Sequence, residues 1–162
     1  MVSVQKILVP VDFSECSWAA MRYAAFLAAK LGATLDLAHV WEPPRHVAPE
    51  VMIRRPGEPD QRLVDFARSE AGTQMQHFLA DLEREGVAGA QGWLESGDVL
   101  ESILGLVKRE GYDLIVMGTH GRRGLAHLVI GSVAENVVRR ASCPVITIHG
   151  APGRSRATPP VL

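Results

Sequence analysis

Leu114-Ile115-Val116-Met117-Gly118-Thr119-His120-Gly121-Arg122-Arg123-Gly124-Leu125-Ala126-His127-Leu128-Val129-Ile130-Gly131-Ser132 settles the architecture of this chain. An apolar run ends abruptly at Gly118. Gly121 follows after two residues and Gly131 after nine more, with Ser132 directly behind it. Val133 to Arg140 then reads as a helix, so the order is strand, glycine loop, helix. Glycines in such a loop let the backbone come close to a ligand. Amides at a helix start attract anions, phosphate above all, and Ser132 adds a hydroxyl at the same point. The stretch reads as a phosphate cradle built on Gly118, Gly121, Gly131 and Ser132. The competing reading is that the glycines only permit tight turns and that Ser132 only caps the helix.

The spacing excludes two common phosphate loops. No lysine follows the glycines, as G-x-x-x-x-G-K-[ST] requires, and G-x-G-x-x-G does not fit either. The spacing G-x2-G-x9-G-[ST] resembles the nucleotide signature of the universal stress protein family. The flanks agree with that resemblance: Val9-Pro10-Val11-Asp12 near the start, Asp113 to Gly121 in the middle, and Ser142-Cys143-Pro144-Val145 near the end. It covers roughly residues 3 to 149, nearly the whole chain. It implies that Gly118, Gly121, Gly131 and Ser132 meet the phosphates of ATP, with Val133 as a further backbone contact. Asp12 reads either as a strand-end residue capping the next turn or, as the resemblance implies, as lying beside the nucleotide, touching ribose or adenine directly or meeting Mg2+ through water. Pro10 and Val11 would line the base pocket from the same strand end, and Val40 would lie against adenine. Met117 and Arg122 complete the set, Arg122 or its neighbour Arg123 screening phosphate charge. ATP is the implied ligand, with ADP or AMP as the other candidates.

Working outward, Lys6-Ile7-Leu8-Val9-Pro10-Val11-Asp12 is an apolar run closed by an acid, the pattern of a strand buried on both faces. Pro10 sits near its end, where a lost donor costs least. Ser14 is placed to cap a helix from about Glu15 to Leu31, with Trp18, Met21, Ala25 and Ala28 on one face and Gly32 closing it. Thr34 to Trp41 is a second strand. Prolines 43, 44, 49, 56 and 59 make Glu42 to Asp60 a long surface loop. Arg45, Arg54 and Arg55 in this loop suggest either solubility or a lid over the ligand. A second helix is expected from about Gln61 to Arg84, and a weaker third strand from Ala88 to Glu95. Asp98 opens a third helix that ends at Gly111, with Val99, Ile103, Leu106 and Val107 inward. Leu114 to Met117 is the fourth strand and Val145 to Ile148 the fifth.

Alternating strands and helices imply a parallel sheet with helices on both faces. The fold expected is α/β, a Rossmann-like five-stranded parallel sheet in one domain over residues 1–149, followed by a flexible tail over 150–162. Strand order does not follow from periodicity. The resemblance implies 3-2-1-4-5, which makes strands one and four neighbours at a switch point, where ligands bind beyond the carboxyl ends. Asp12 and Gly118 would meet there.

Hydrophobic residues make up 47% and charged residues 22%, as in a soluble globular chain. The net charge of −1 gives no global attraction to nucleic acid. No apolar run approaches the length of a membrane span. Met1 to Lys6 lacks the apolar region of a signal peptide, so a cytoplasmic setting is expected. Cys16 and Cys143 form no disulfide framework. Cys16, in a helix first turn where a thiolate is favoured, has a redox role as its alternative, and His120, in the loop, a catalytic or phosphate-contacting one; both are read as local structural residues, and Cys143 as buried. The remaining histidines show no metal-binding spacing.

The functional expectation is an ATP-binding regulatory protein that changes shape or partner on binding, the protein partner being unspecified. No catalytic set is recognisable. The resemblance allows slow hydrolysis or self-phosphorylation. The alternative is an ATP-splitting, adenylating enzyme of a related α/β fold. Such enzymes carry a loop of the S-G-G-x-D-S kind after strand one, where this chain has Asp12-Phe13-Ser14-Glu15-Cys16-Ser17, without glycine. A scaffold with an empty site is the third reading. Val145 to Ile148 is short and apolar and would lie at the sheet edge, so a homodimer through this strand is expected.

Overall fold

The computed structural model describes residues 3–42, 48, 50–57, 59–119 and 130–149. In chain order the elements are β1 (Lys6–Pro10), α1 (Glu15–Leu31), β2 (Thr34–Trp41), β3 (Met52–Ile53), β4 (Gln61–Arg62), α2 (Leu63–Arg84), β5 (Gly92–Ser96), α3 (Val99–Glu110), β6 (Leu114–Gly118), α4 (Ser132–Arg140) and β7 (Val145–Ile148). The main sheet has the order β5-β2-β1-β6-β7, and all of its pairings are parallel. Without the two short strands β3 and β4, this is the order 3-2-1-4-5 expected above.

Local chemistry sets most boundaries. Ser14 accepts a hydrogen bond from Ser17 N–H at the start of α1, and Asp98 accepts one from Glu101 N–H at the start of α3. Gly32 and Gly111 end those two helices in the left-handed conformation. Two boundaries depart from expectation. Gln61 and Arg62 pair antiparallel with Ile53 and Met52, so α2 begins only at Leu63. The proline-rich stretch therefore contains a small hairpin rather than loop alone. The second is β5, which begins at Gly92 rather than Ala88, after a bend at Gly89.

The sheet is wrapped on both faces. Successive residues of β1 alternate between two cores. Ile7 and Val9, followed by Val11, pack against Ala20, Met21, Ala24 and Ala28 of α1 and Phe78 and Leu82 of α2. Leu8 packs on the opposite side with Ile103, Leu106 and Val107 of α3 and Ala134 and Val137 of α4. Each fully buried aliphatic side chain contributes about 1.5–3 kcal/mol. Exposed ion pairs such as Arg62–Asp65 and Arg139–Glu135 contribute about 0–1 kcal/mol. The two cores, not the surface charges, hold the helices where they bring their N-termini to the carboxyl end of the sheet.

Candidate functional site

The cleft starts with an interruption in the sheet. β1 stays paired with β2 as far as Pro10↔Ala38, but with β6 it is paired only at Ile7↔Leu114 and Leu8↔Ile115. Val11 N–H donates to Ala38 O on β2 at 2.8 Å. Alternation along a strand then turns Pro10 toward β6, where it brings no N–H to the ladder. Pairing between the two central strands therefore ends early. From here β1 leads by way of α1 to β2 on one side, and β6 leads by way of α4 to β7 on the other. This is the switch point of the sheet, bounded by Asp12, Gly118 and the start of α4.

The glycine loop is tied at its base. Thr119 is buried, and its N–H donates to Ile148 O of β7 at 3.0 Å. Its carbonyl accepts Gly131 N–H at 2.7 Å. Gly121, Arg122, His120, Arg123 and His127 lie outside the described residues, as do Arg45 and the 150–162 tail. The Gly131 amide is thus used within the protein, and the cradle reading narrows to the amides after it. Gly131 occupies the N-cap position of α4 and supplies no side-chain acceptor there. Ser132 is the first helical residue, not the cap, and is exposed. The first intrahelical bond shown runs from Glu135 N–H to Gly131 O, so the amides of Ser132 and Val133 precede it in the helix's first turn. The backbone of Gly131, at φ −59° and ψ 148°, is open to any residue. Its conformation therefore does not require glycine.

Gly118 tells a different story. A Cβ built there would lie 2.9 Å from Cys16 Sγ and 3.0 Å from the Cys16 backbone carbon. Close passage of α1 over β6 is sufficient by itself to demand glycine at this position. Cys16 Sγ also donates to Ile148 O at 3.2 Å, which ties α1 to the end of β7. The thiol thus serves as a buried spacer in the packing.

Asp12 performs the capping role that aspartate commonly takes in turns. Its Oδ1 accepts from Ser14 N–H at 3.1 Å and from the Ser14 hydroxyl, while Ser14 Oγ accepts from Ser17 N–H at 3.2 Å. Between Asp12 and Ser14 sits Phe13, the one non-glycine among the described residues with a positive φ, at 63°. Its ring lies 4.3 Å from that of His39 and 5.2 Å, edge-on, from that of Phe78. Phe13 and Thr119 carry no signal in the sequence, since nothing local marks a bulky aromatic residue for the left-handed region.

Val40, Met117 and Val133 fall in one hydrophobic cluster on the α3/α4 face: Met117 buried, the other two half-buried. Three candidates from three distant segments thereby fall on the same face of the sheet. Pro10 is buried at the same strand end, whereas the Val11 side chain points into the α1/α2 core. Arg54 is held by a bidentate pair with Asp60, and Arg55 stacks over Phe66 at 5.2 Å, so both are engaged within the hairpin region. Cys143 is half-buried rather than buried, and burial, followed by the Asp113 charge, pushes its thiol up. Among the described residues no group of three or more His, Cys, Asp or Glu could hold a metal ion, and no helix is long and apolar enough to cross a membrane.

The architecture and this cleft define a doubly wound α/β protein whose candidate ligand site lies at the switch point of its sheet. The family model of the universal stress proteins matches residues 3–149, and the chain belongs to that family. It is 33% identical over 143 residues to universal stress protein A homolog 1 of Coxiella burnetii, covering 88% of this chain and 94% of that one. It is 29% identical over 144 residues to universal stress protein MJ0531 of Methanocaldococcus jannaschii, covering 89% and 81%. Among solved structures, UspA from Lactobacillus plantarum superposes with a TM-score of 0.75 at 24% identity, over 91% of this chain and 99% of that one. Two further neighbours of the same fold hold adenine nucleotides. One is a universal stress protein in complex with cAMP (TM-score 0.69, 21% identity, 93% and 100% coverage). The other is a family protein from Arabidopsis thaliana with AMP bound (TM-score 0.61, 23% identity, 91% and 93% coverage).

Proposed function

We propose that this chain binds an adenine nucleotide, ATP in the first place, in the switch-point cleft and acts as a nucleotide-dependent regulatory protein. The observation that carries the reading is the start of α4: a glycine at the N-cap, no side-chain cap, and a tie to Thr119 just beyond the end of β6, the strand whose pairing with β1 has already stopped. A helix start of this kind favours phosphate. The cluster of Val40, Met117 and Val133 offers an apolar surface for the base beside it. The residues present therefore fit a nucleotide: the α4 amides for phosphate, the cluster for adenine, and Asp12 at the opposite strand end. Magnesium typically needs only one or two protein carboxylates when phosphates supply the rest, and Asp12 is the carboxylate in place to meet it, through water. The cAMP and AMP found in the two neighbours support the choice of base.

Titration calorimetry of the purified protein with ATP, ADP and AMP, with and without Mg2+, tests the reading, together with mass spectrometry of any nucleotide released on denaturation. Saturable binding of an adenine nucleotide is expected. Absence of heat with all three, and no nucleotide released, would refute it; stoichiometric pyrophosphate release would replace it with the adenylating alternative.

The same reading includes a homodimer. Among the described residues β7 ends the sheet with β6 as its only partner strand, and its four residues are all half-buried. A two-fold pairing of identical edges satisfies both rows of backbone groups. Sedimentation of the wild type and of Ile146→Pro, with circular dichroism to confirm folding, is the measurement. A monomeric wild type, or a folded variant that stays dimeric, rules out this interface.

A further inference from the structure

The turn after β1 contains a conformational oddity beside the candidate site. Phe13 sits at φ 63°, a region that bulky side chains avoid because Cβ crowds the backbone. Such a residue persists only where its surroundings over-determine it. Here they do so through rings. The Phe13 ring lies against His39 at 4.3 Å and meets Phe78 edge-on at 5.2 Å. His39 is itself fixed, its Nδ1 lying 2.8 Å from Val11 O. As a carbonyl only accepts, that nitrogen carries the proton and donates. Val11 is in turn anchored to β2 by its N–H. Asp12 thus lies between two residues held by the same histidine: Val11 through a hydrogen bond, Phe13 through a ring contact.

We infer that Phe13 and His39 are positioning residues for the nucleotide site. Their stack holds the turn in its left-handed form, and that form aims the Asp12 carboxylate at the cleft and onto Ser14. This rests on the nucleotide reading above for its effect on affinity, but its effect on the turn stands apart from that reading. A left-handed Phe13 turns the chain between Asp12 and Ser14. In that turn Asp12 accepts from Ser14 N–H while Ser14 caps α1 at Ser17 N–H. The rings replace, in this chain, the conformational freedom that a glycine would bring at the same place.

Two variants separate the ring from the backbone. Phe13→Ala removes the rings' support and keeps the Cβ penalty. Phe13→Gly removes the ring and the penalty together. With Phe13→Ala, ATP affinity is expected to fall about tenfold, which is ~1.4 kcal/mol, and amide exchange at Ser14 and Ser17 to accelerate. Phe13→Gly is expected to restore both toward wild type, although it lacks the same ring. His39→Ala is expected to behave like Phe13→Ala. Exchange at Ser14 and Ser17 is read by NMR without nucleotide, so it decides the inference even if the wild type binds none. That result would overturn the nucleotide reading alone. Unchanged exchange in Phe13→Ala, or a Phe13→Gly variant no better than Phe13→Ala in exchange, overturns the positioning role. Wild-type ATP affinity in Phe13→Ala, with the wild type binding, overturns its reach to the ligand.

Discussion

At the amino end of the sheet β1 and β6 are stitched together; at the carboxyl end the same two strands are released. Asp113, just ahead of β6, accepts Gln5 N–H at 2.8 Å and Lys6 N–H at 2.9 Å through one carboxylate oxygen, and its own N–H returns a bond to Lys6 O. Lys6 Nζ reaches Glu110 O at 2.7 Å. Near this end Asp36 of β2 accepts from the Tyr112 hydroxyl at 2.7 Å and from Gln91 N–H at 2.8 Å, while that hydroxyl accepts from Trp93 Nε1 at 2.9 Å. Burial, and then the Asp36 carboxylate, raise the Tyr112 phenol, which keeps it a donor. At the carboxyl end the ladder stops after Leu8↔Ile115, Pro10 brings no donor, and α4 begins on a glycine. Polar groups that satisfy one another fix the sheet at one end; backbone groups that precede a helix ladder are the ones proposed to meet the ligand at the other.

The largest expected effect lies at the stitched end and concerns stability alone. Asp36→Ala leaves the buried Tyr112 hydroxyl without its acceptor, at about 1–3 kcal/mol, and removes the bond from the N–H of the exposed Gln91, at about 0.5–1.5 kcal/mol. A loss of about 3 kcal/mol by urea unfolding is expected, with nucleotide affinity of the folded protein unchanged. Weakened binding at full stability would show that the two ends are not independent.

The glycine pair sharpens the contrast at the open end. Gly131→Val is expected to weaken ATP binding about 10- to 100-fold, the equivalent of one lost charge-assisted hydrogen bond of roughly 1.5–3 kcal/mol, and to shift stability by no more than ~0.5 kcal/mol. Gly118→Val meets Cys16 and is expected to lose about 1–3 kcal/mol of stability whether or not ligand is present. Calorimetry beside thermal melting separates them. Equal behaviour of the two variants in both measurements would mean that both glycines serve packing.

Asp12 stands on both sides of the comparison, since it caps a turn and is the carboxylate proposed to meet the ligand. Asp12→Ala is expected to lose about tenfold in Mg2+-dependent affinity and ~1 kcal/mol from the disturbed cap of α1. Asp12→Asn keeps the acceptor for Ser14 and removes the charge. It should hold its melting temperature and still lose the Mg2+ dependence. An Asn variant with wild-type Mg2+ dependence leaves Asp12 with its capping role alone.

The smallest effect is a pH dependence at the stitch. The Gln5 amide, and then the Lys6 amide, lower the Asp113 pKa below its ordinary value. A carboxylate depressed in the folded state stabilises above the unfolded pKa, and that contribution is lost as pH falls through the folded pKa. Asp113→Asn should flatten melting temperature against pH on the acid side by roughly a few degrees at most. An identical acid limb in wild type and variant removes Asp113 from the account.

Where residues act on near neighbours, the fold was legible in advance. Ser14, Gly32, Asp98 and Gly111 set the ends of α1 and α3 as read from the chain, because a cap depends on residues three or four positions away. The start of α2 was misread at Gln61 because the competing partner, Ile53, lies across a proline-rich loop with no local signal. The order of the strands was read from the resemblance, since periodicity marks a strand without saying which strand it joins.

By itself, then, the sequence determined the succession of strands and helices, the alternation that sends Leu8 and Ile7 to opposite cores, and the glycine spacing that marks the family. Only the tertiary structure decided that close packing against Cys16 asks for glycine at 118, that the Gly131 amide is already used, and that a phenylalanine takes a glycine's conformation. Those answers depend on contacts between residues far apart in the chain. Cys16 lies 132 positions from Ile148, and Phe13 reaches Phe78 only because α2 packs on the same face. A close approach is a property of distance in space, and a single sequence records that distance only where chain neighbours create it.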